Sequence, residues 1–311
     1  MPSPRSILPP DELRAKLAGP MPSIRTPFER DGRIDFAALR RMIDFYIGAG
    51  ASALMLTAGD SHYVALSEKE IAEVTRVTVE HTAGRAAVIA ADRYYDTAHA
   101  VDFARFVRET GADLLMVMPP DWGSSTTPDS LTEHYRAVAD VMPVMMVTNV
   151  FIARGQPFGL ETIRRVRDTV KNVVAVKDDM CGEFGRKMTL LVHEQWAVVA
   201  GGQKQTHLNM LPYGCQGYLS TFITFRPEIA WAYWAAVTKG DTDEMRRIIR
   251  DLDNPYFELI ATLRGGFDAG MHGAMELFGL AGRWRRKPYH TLDDAEMERF
   301  AAALQQLKIL P

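Results

Sequence analysis

Lys177 closes a run of small apolar residues, Val173, Val174, Ala175 and Val176, and is followed by Asp178 and Asp179. A lysine held at the end of a buried strand loses hydration, which disfavours the charged form and leaves a usable fraction of neutral amine. Such an amine attacks a ketone, and the resulting iminium draws electrons from the adjacent carbon, as aldol cleavage or β-elimination from a 2-oxo acid requires. On spacing alone, a solvated loop lysine neutralised by its two aspartates is the commoner explanation. A second candidate is the stretch Leu56, Thr57, Ala58, Gly59, Asp60, Ser61. A small glycine-containing turn leaves backbone N–H groups free to hold a carboxylate, with Thr57 offering a hydroxyl, although a plain tight connection fits equally. In Gly217, Tyr218, Leu219 and Ser220 the glycine admits a ligand or a neighbouring backbone. His62, Tyr63, Tyr94 and Tyr95 read as proton carriers, lid residues or simple aromatic packing, whereas His81, His134, His193 and His207 fall in helical patterns.

The elements that must position these residues follow from periodicity. Apolar runs at 21–25, 51–57, 86–91, 113–118, 143–149, 173–177, 197–201 and 216–220 alternate with amphipathic stretches at 35–47, 67–82, 97–110, 128–141 and 160–170. Asp35, Ser67 and Asp96 are placed as N-caps, and Ser67 with Glu70 fits a capping box. Eight strands buried on both faces and crossed by helices predict an α/β fold, a (β/α)8 TIM barrel with a C-terminal helical extension. A doubly wound open sheet competes, weakened by the lack of a Gly-x-Gly-x-x-Gly turn or a Walker loop. Beyond residue 226 only helical patterns remain, at 227–238, 242–263, 271–280 and 295–307, with Gly265 and Gly266 marking a break. The expected organisation is a barrel over 1–225, with a short extension at 1–19, then a last barrel helix and helical subdomain over 226–311.

Composition narrows the partners. The chain has 311 residues, 47% hydrophobic and 24% charged, with a formal net charge of −3. No basic excess draws it to nucleic acid or to an anionic membrane, so a small-molecule partner is expected. Cys181 and Cys215 are the two cysteines, and neither sits in a metal-ligand spacing. A disulfide framework, a metal and a cofactor are therefore not expected, and a reducing cytoplasm fits. The proline-rich, charged N-terminus lacks the apolar core of a signal peptide, and no apolar run approaches a membrane span.

In combination these stretches resemble the dihydrodipicolinate synthase and N-acetylneuraminate lyase family over nearly the whole chain. The matching pieces are Thr26, Pro27 and Phe28 with Gly32, Ile34 and Asp35; Gly59 with Leu66 and the cap from Ser67 to Glu70; Val174 to Asp178; Gly217 to Ser220; and the basic segment at 277–288 closed by Pro288. The resemblance implies a homo-oligomer, dimer or tetramer, whose lysine, here Lys177, forms a Schiff base with pyruvate or another 2-oxo acid. It implies that the turn at Thr57, Ala58 and Gly59 holds the carboxylate, largely through backbone amides, beside Leu219. Departures accompany the matches. Thr148, before Asn149 and Val150, stands where the family carries a proton-relaying tyrosine, Ala58 replaces a hydroxyl residue, and Asp60 replaces a glutamate. Pro119, Pro120, Asp121 and Trp122 occupy the loop that carries the synthase's intersubunit tyrosine, and Arg154 matches the family's arginine with a shift of one residue. The expectation is a Schiff-base lyase, aldolase or dehydratase, distinct from authentic dihydrodipicolinate synthase, with Lys177, Thr148 and Thr57 catalytic. Ala58, Gly59, Leu219, Tyr94 and Arg154 are expected to bind substrate, with Phe151 and Met180 near its distal half. The alternative is a noncatalytic 2-oxo-acid-binding or regulatory paralogue. A metal-dependent aldolase is disfavoured by the lack of a ligand cluster in the sequence.

Overall fold

The computed structural model describes residues 8–310, so the extension expected at 1–19 is seen only in part. A short helix, α1 (Pro10–Lys16), leads into eight strands: β1 (Gly19–Met21), β2 (Ala53–Met55), β3 (Ala87–Ala91), β4 (Leu114–Val117), β5 (Val144–Val147), β6 (Val173–Asp178), β7 (Ala197–Ala200) and β8 (Gly217–Leu219). They form one parallel sheet in the order β1-β8-β7-β6-β5-β4-β3-β2. The two ends meet where Ser23 bridges Met55 and the Ile24 amide donates to the Met55 carbonyl at 2.8 Å. The sheet is thus closed on itself, a (β/α)8 barrel rather than an open sheet.

Helices α2 (Phe36–Gly48), α3 (Glu68–Thr82), α4 (Thr97–Thr110), α5 (Pro128–Ala139), α6 (Gln156–Thr169), α7 (Gly182–Val192), α8 (Lys204–Met210) and α9 (Pro227–Lys239) follow the strands in turn. Four of them start where side-chain oxygens satisfy otherwise orphaned amides, α5 through Thr127, which accepts from Ser130 N. Asp35 accepts from Ala38 N, Ser67 and Glu70 form the reciprocal box, and Asp96 accepts from Ala98 N and His99 N. All five residues of β3 and all four of β4, β5 and β7 are buried, because helices cover the outer face while side chains fill the barrel. The chain ends in α10 (Thr242–Ile248), α11 (Asn254–Ala261), α12 (Gly266–Leu277) and α13 (Asp294–Gln306). No helix of the described residues is long and apolar enough to cross a membrane.

Three elements differ from the sequence expectation. The first strand pairs over Gly19–Met21 rather than 21–25, since Pro22 has no N–H to extend the ladder and the residues beyond it turn to β2. The fifth strand stops at Val147, and residues Thr148–Phe151 form a 3₁₀ turn. The single helix expected at 242–263 is divided by a π-helical turn, Ile249–Asp253, just before Pro255, whose ring and missing N–H are incompatible with an unbroken α ladder.

Candidate active site

The side chains at the end of β6 and in the residue that follows it alternate in direction. Lys177 and Asp179 share one side, and Asp178 points to the other. Lys177 is 7% exposed, and its Nζ donates to both carboxylate oxygens of Asp179, at 2.5 and 2.6 Å. Gly201, immediately after β7, lies against this pair: a Cβ there would stand 1.8 Å from Asp179 Oδ1 and 2.8 Å from Lys177 Nζ. Glycine is the residue that leaves room for the carboxylate to reach the amine.

Asp178, fully buried, faces α7. It accepts from Cys181 N at 3.0 Å and Met180 N at 3.2 Å, and a Cβ on Gly185 would come within 2.5 Å of its Oδ2. Burial pushes its carboxyl above the usual value, against the downward pull of the Thr148 hydroxyl and the two amides. The Thr148 hydroxyl donates to Asp178 Oδ1 at 2.7 Å and accepts from Asp179 N at 2.8 Å and Met180 N at 3.2 Å. With one donor and two acceptor sites, it is fully used in holding the turn after β6.

The turn after β2 is built around Thr57. Its amide donates to Ser61 Oγ at 3.0 Å, and its hydroxyl accepts from Asp60 N at 3.0 Å, with no acceptor for the hydroxyl proton among the described residues. Among the described residues the amides of Ala58 and Gly59 take no protein acceptor, and Gly59 is exposed. Asp60 pairs with Arg25 at 3.2 Å. Burial raises the Asp60 carboxyl, but Arg25, with Ser23, Lys177 and His62 behind it, outweighs that and leaves it below its ordinary value. Arg25 is buried, with its guanidinium 5.1 Å from the centre of the Phe267 ring and its Nε without a partner among the described residues. A cavity of about 290 Å³ opens here, walled by Arg25 and Asp60, Gly201 to Gln203, Leu219 and, from the C-terminal helices, Phe257 and Phe267.

The surroundings divide into rim and support. Tyr94, with φ +53° and 45% exposed, stands on the rim; burial, Asp92 and Asp179 push its phenol upward while the Asn149 side chain pulls it down. Arg154 is drawn to the neighbouring loop, donating to Asp121 at 2.7 Å and to Thr126 O at 3.1 Å and stacking on Phe158. His62 turns away to a second buried imidazole, His272, with the two Nε2 atoms 3.0 Å apart. Burial, then Arg285 and Arg25, lowers His62 to about 4, and burial with the same cations holds His272 well below its usual value. Lys204 and Asp253, each with 2% of its side chain exposed, form an ion pair tying the start of α8 to the π-helical turn.

The structure therefore brings Lys177, Leu219 and the turn of Thr57, Ala58 and Gly59 to one end of the barrel, with Thr148 beneath and Tyr94 at the edge. Of the expected site residues Leu219 walls the cavity; Lys177, Thr148, Thr57, Ala58, Gly59, Tyr94 and Arg154 do not, and Lys177 meets it through Gly201. Arg25, Asp179 and Gly201 were not singled out from the sequence as site residues. A charged residue just past a first apolar strand, and an acid two places after a strand-end lysine, are the signals that point to the first two.

A lysine closing the sixth strand of a parallel barrel, with its amine at the C-terminal mouth, defines the class: an aldolase-type (β/α)8 protein. The profile of the dihydrodipicolinate synthetase family matches residues 16–307, and the chain belongs to that family, whose members are class I aldolase-type lyases. It is 26% identical over 298 residues to the 4-hydroxy-tetrahydrodipicolinate synthase of Dechloromonas aromatica, covering 93% of this chain and 98% of the relative. It is 29% identical over 302 residues to a Streptomyces coelicolor protein named probable 5-dehydro-4-deoxyglucarate dehydratase 1, covering 94% of each. The crystal structure of N-acetylneuraminate lyase from Fusobacterium nucleatum shares the fold, with a TM-score of 0.83 at 16% identity over 94% of this chain and 99% of that one.

Proposed function

We propose that this protein is a Schiff-base-forming lyase, an aldolase or dehydratase, acting on pyruvate or another 2-oxo acid and distinct from authentic dihydrodipicolinate synthase. The observation that carries this reading is the position of Lys177 Nζ, nearly buried at the mouth of the barrel and against Gly201, which with Leu219 and Asp60 walls a cavity of about 290 Å³. In this reading the amine attacks C2, and the C1 carboxylate is received by the free amides of Ala58 and Gly59 and the Thr57 hydroxyl. Arg25, which walls the cavity, supplies a positive charge beside the turn that carries Ala58 in place of a hydroxyl residue. Tyr94 and Arg154 meet the distal half of the substrate. Thr148 serves by holding the turn that follows Lys177.

The test is turnover: hydroxylated 2-oxo acids, including sugar acids and dicarboxylates, are incubated with the protein while pyruvate release and loss of water are followed by NMR. Cleavage or dehydration of at least one member, abolished in Lys177→Arg, supports the proposal. A second reading, a protein that binds a 2-oxo acid as an imine without turning it over, is favoured by the fully occupied Thr148 hydroxyl. It predicts an adduct and no product with any member.

A further inference from the structure

The family's tyrosine relay is replaced by a hydroxyl that has no capacity left, yet imine formation needs a group that takes a proton from the amine and returns one to the departing oxygen. We infer that Asp179 is that group: a catalytic acid and base for imine formation at Lys177, with Thr148 as its positioning residue. The inference rests on the Schiff-base reading and adds to it the residue that moves the protons.

The geometry selects Asp179 by contact and by exclusion. Both its oxygens touch the reacting nitrogen, at 2.5 and 2.6 Å. Of the other acids and hydroxyls nearby, Asp178 is engaged with the start of α7, Asp60 with Arg25 and Thr148 with the turn itself, while the Thr57 hydroxyl is assigned to the substrate carboxylate. Tyr94 is on the rim, 45% exposed, and Asp179 is among the charges that bear on its phenol. Two features exist to keep it there. The Thr148 hydroxyl accepts from the Asp179 amide at 2.8 Å, fixing the backbone, and Gly201 leaves empty the space that a Cβ would take from Asp179 Oδ1. The substitution of threonine for tyrosine then makes sense: the hydroxyl at this position no longer carries protons but aims the carboxylate that does.

The step balances without any further reactant. A substrate that enters the cavity and reaches past Gly201 brings its carbonyl to the ion pair and takes the place of water there. One proton passes from the Lys177 ammonium to Asp179, giving an amine and a carboxylic acid. The nitrogen lone pair forms a bond to C2, the carbonyl π pair moves to oxygen, and a proton transfers from nitrogen to that oxygen, giving the carbinolamine. Asp179 then returns its proton to the hydroxyl, the C–O bond breaks, water leaves, and the nitrogen lone pair completes the iminium. The carboxylate is regenerated beside the positive charge it has helped to form.

The experiment measures the rate at which pyruvate, and a panel of longer 2-oxo acids, is trapped on Lys177 by cyanoborohydride, as a function of pH, in the wild type, Asp179→Asn, Asp179→Ala, Asp179→Glu, Thr148→Val and Thr148→Ser. Folding is checked for each by circular dichroism and melting. Asp179→Asn is expected to trap on the order of 10²-fold more slowly at neutral pH, within the range for a lost acid–base group. Asp179→Glu recovers part of the rate, and added formate rescues Asp179→Ala, which a merely structural carboxylate would not allow. Thr148→Val slows trapping and Thr148→Ser restores it. Trapping in Asp179→Asn as fast as in the wild type overturns the role of Asp179 while leaving the imine intact. Absence of trapping in the wild type with every 2-oxo acid overturns the Schiff-base reading and this inference with it.

Discussion

Lys177 and Asp179 are separated by one residue and meet through a doubly contacted ion pair, at 2.5 and 2.6 Å, because strand geometry sends them to the same side. The residue between them, Asp178, goes to the opposite side and anchors the turn to α7 and Thr148. One strand end thus carries the reacting amine, its nearest charge and the brace that orders both.

Gly201→Ala tests how tightly that arrangement is packed. A methyl group placed 1.8 Å from Asp179 Oδ1 must displace the carboxylate, the amine or the β7 loop. Misplacement of a reacting group by about 1 Å costs on the order of 10²-fold in rate. The variant is expected to bind 2-oxo acid weakly and to form the adduct at least tenfold more slowly, read by trapping kinetics beside a melt. Wild-type kinetics would show that the pair has room to spare.

Arg25 tests the carboxylate site. Arg25→Gln combined with Asp60→Asn removes a cation and its counter-charge together, so that no unpaired charge is left buried. The expected result is a rise in KM for 2-oxo acid of roughly 10-fold or more, the worth of a charged hydrogen bond, with the maximal rate changed far less. An equal fall in the maximal rate with KM unchanged would place Arg25 away from the ground-state carboxylate.

The C-terminal helices hold the cavity through Lys204 and Asp253, a pair whose side chains are each 2% exposed. Burial lowers the Lys204 ammonium below its usual value, with Asp253 opposing that shift. Lys204→Met leaves the buried Asp253 carboxylate without its counter-charge, held by the residue 204 amide alone, and is expected to cost about 3–5 kcal/mol in chemical denaturation. Lys204→Met with Asp253→Leu recovers most of the loss. A single variant as stable as the wild type would contradict the structural tie.

Acid sensitivity follows from the buried histidines. His62, His134 and His207 are each lowered from 6.5 to about 4, chiefly by burial, and His272 is lowered well below its usual value. Between 6.5 and about 4 the unfolded chain binds protons that the folded one does not, so stability falls as pH drops through that window. The melting temperature is expected to be flat with respect to these groups above 6.5 and to decline steadily toward 4. A melting temperature unchanged from pH 6.5 to 4.5 would contradict their burial as neutral rings.

Much of this was legible in the chain. The βα period, the N-caps at Asp35, Ser67 and Asp96, and the strand-end position of Lys177 are local signals, and the fold preserves each of them. What escaped depends on contacts between distant segments. The commitment of the Thr148 hydroxyl could not be read from a string, because it arises where the 3₁₀ turn after β5 meets the turn after β6. Arg25 and Asp60 are 35 residues apart and meet only on barrel closure. Gly201 looks like any loop glycine until the Asp179 carboxylate is seen in the place of its missing Cβ.

The most direct measurement is borohydride reduction in the presence of pyruvate or a longer 2-oxo acid, followed by peptide mass mapping. The account predicts a reduced adduct on the peptide containing Lys177, lost in Lys177→Arg while the barrel stays folded. An unmodified Lys177 with every 2-oxo acid tried, or an adduct on another lysine that survives Lys177→Arg, would contradict it.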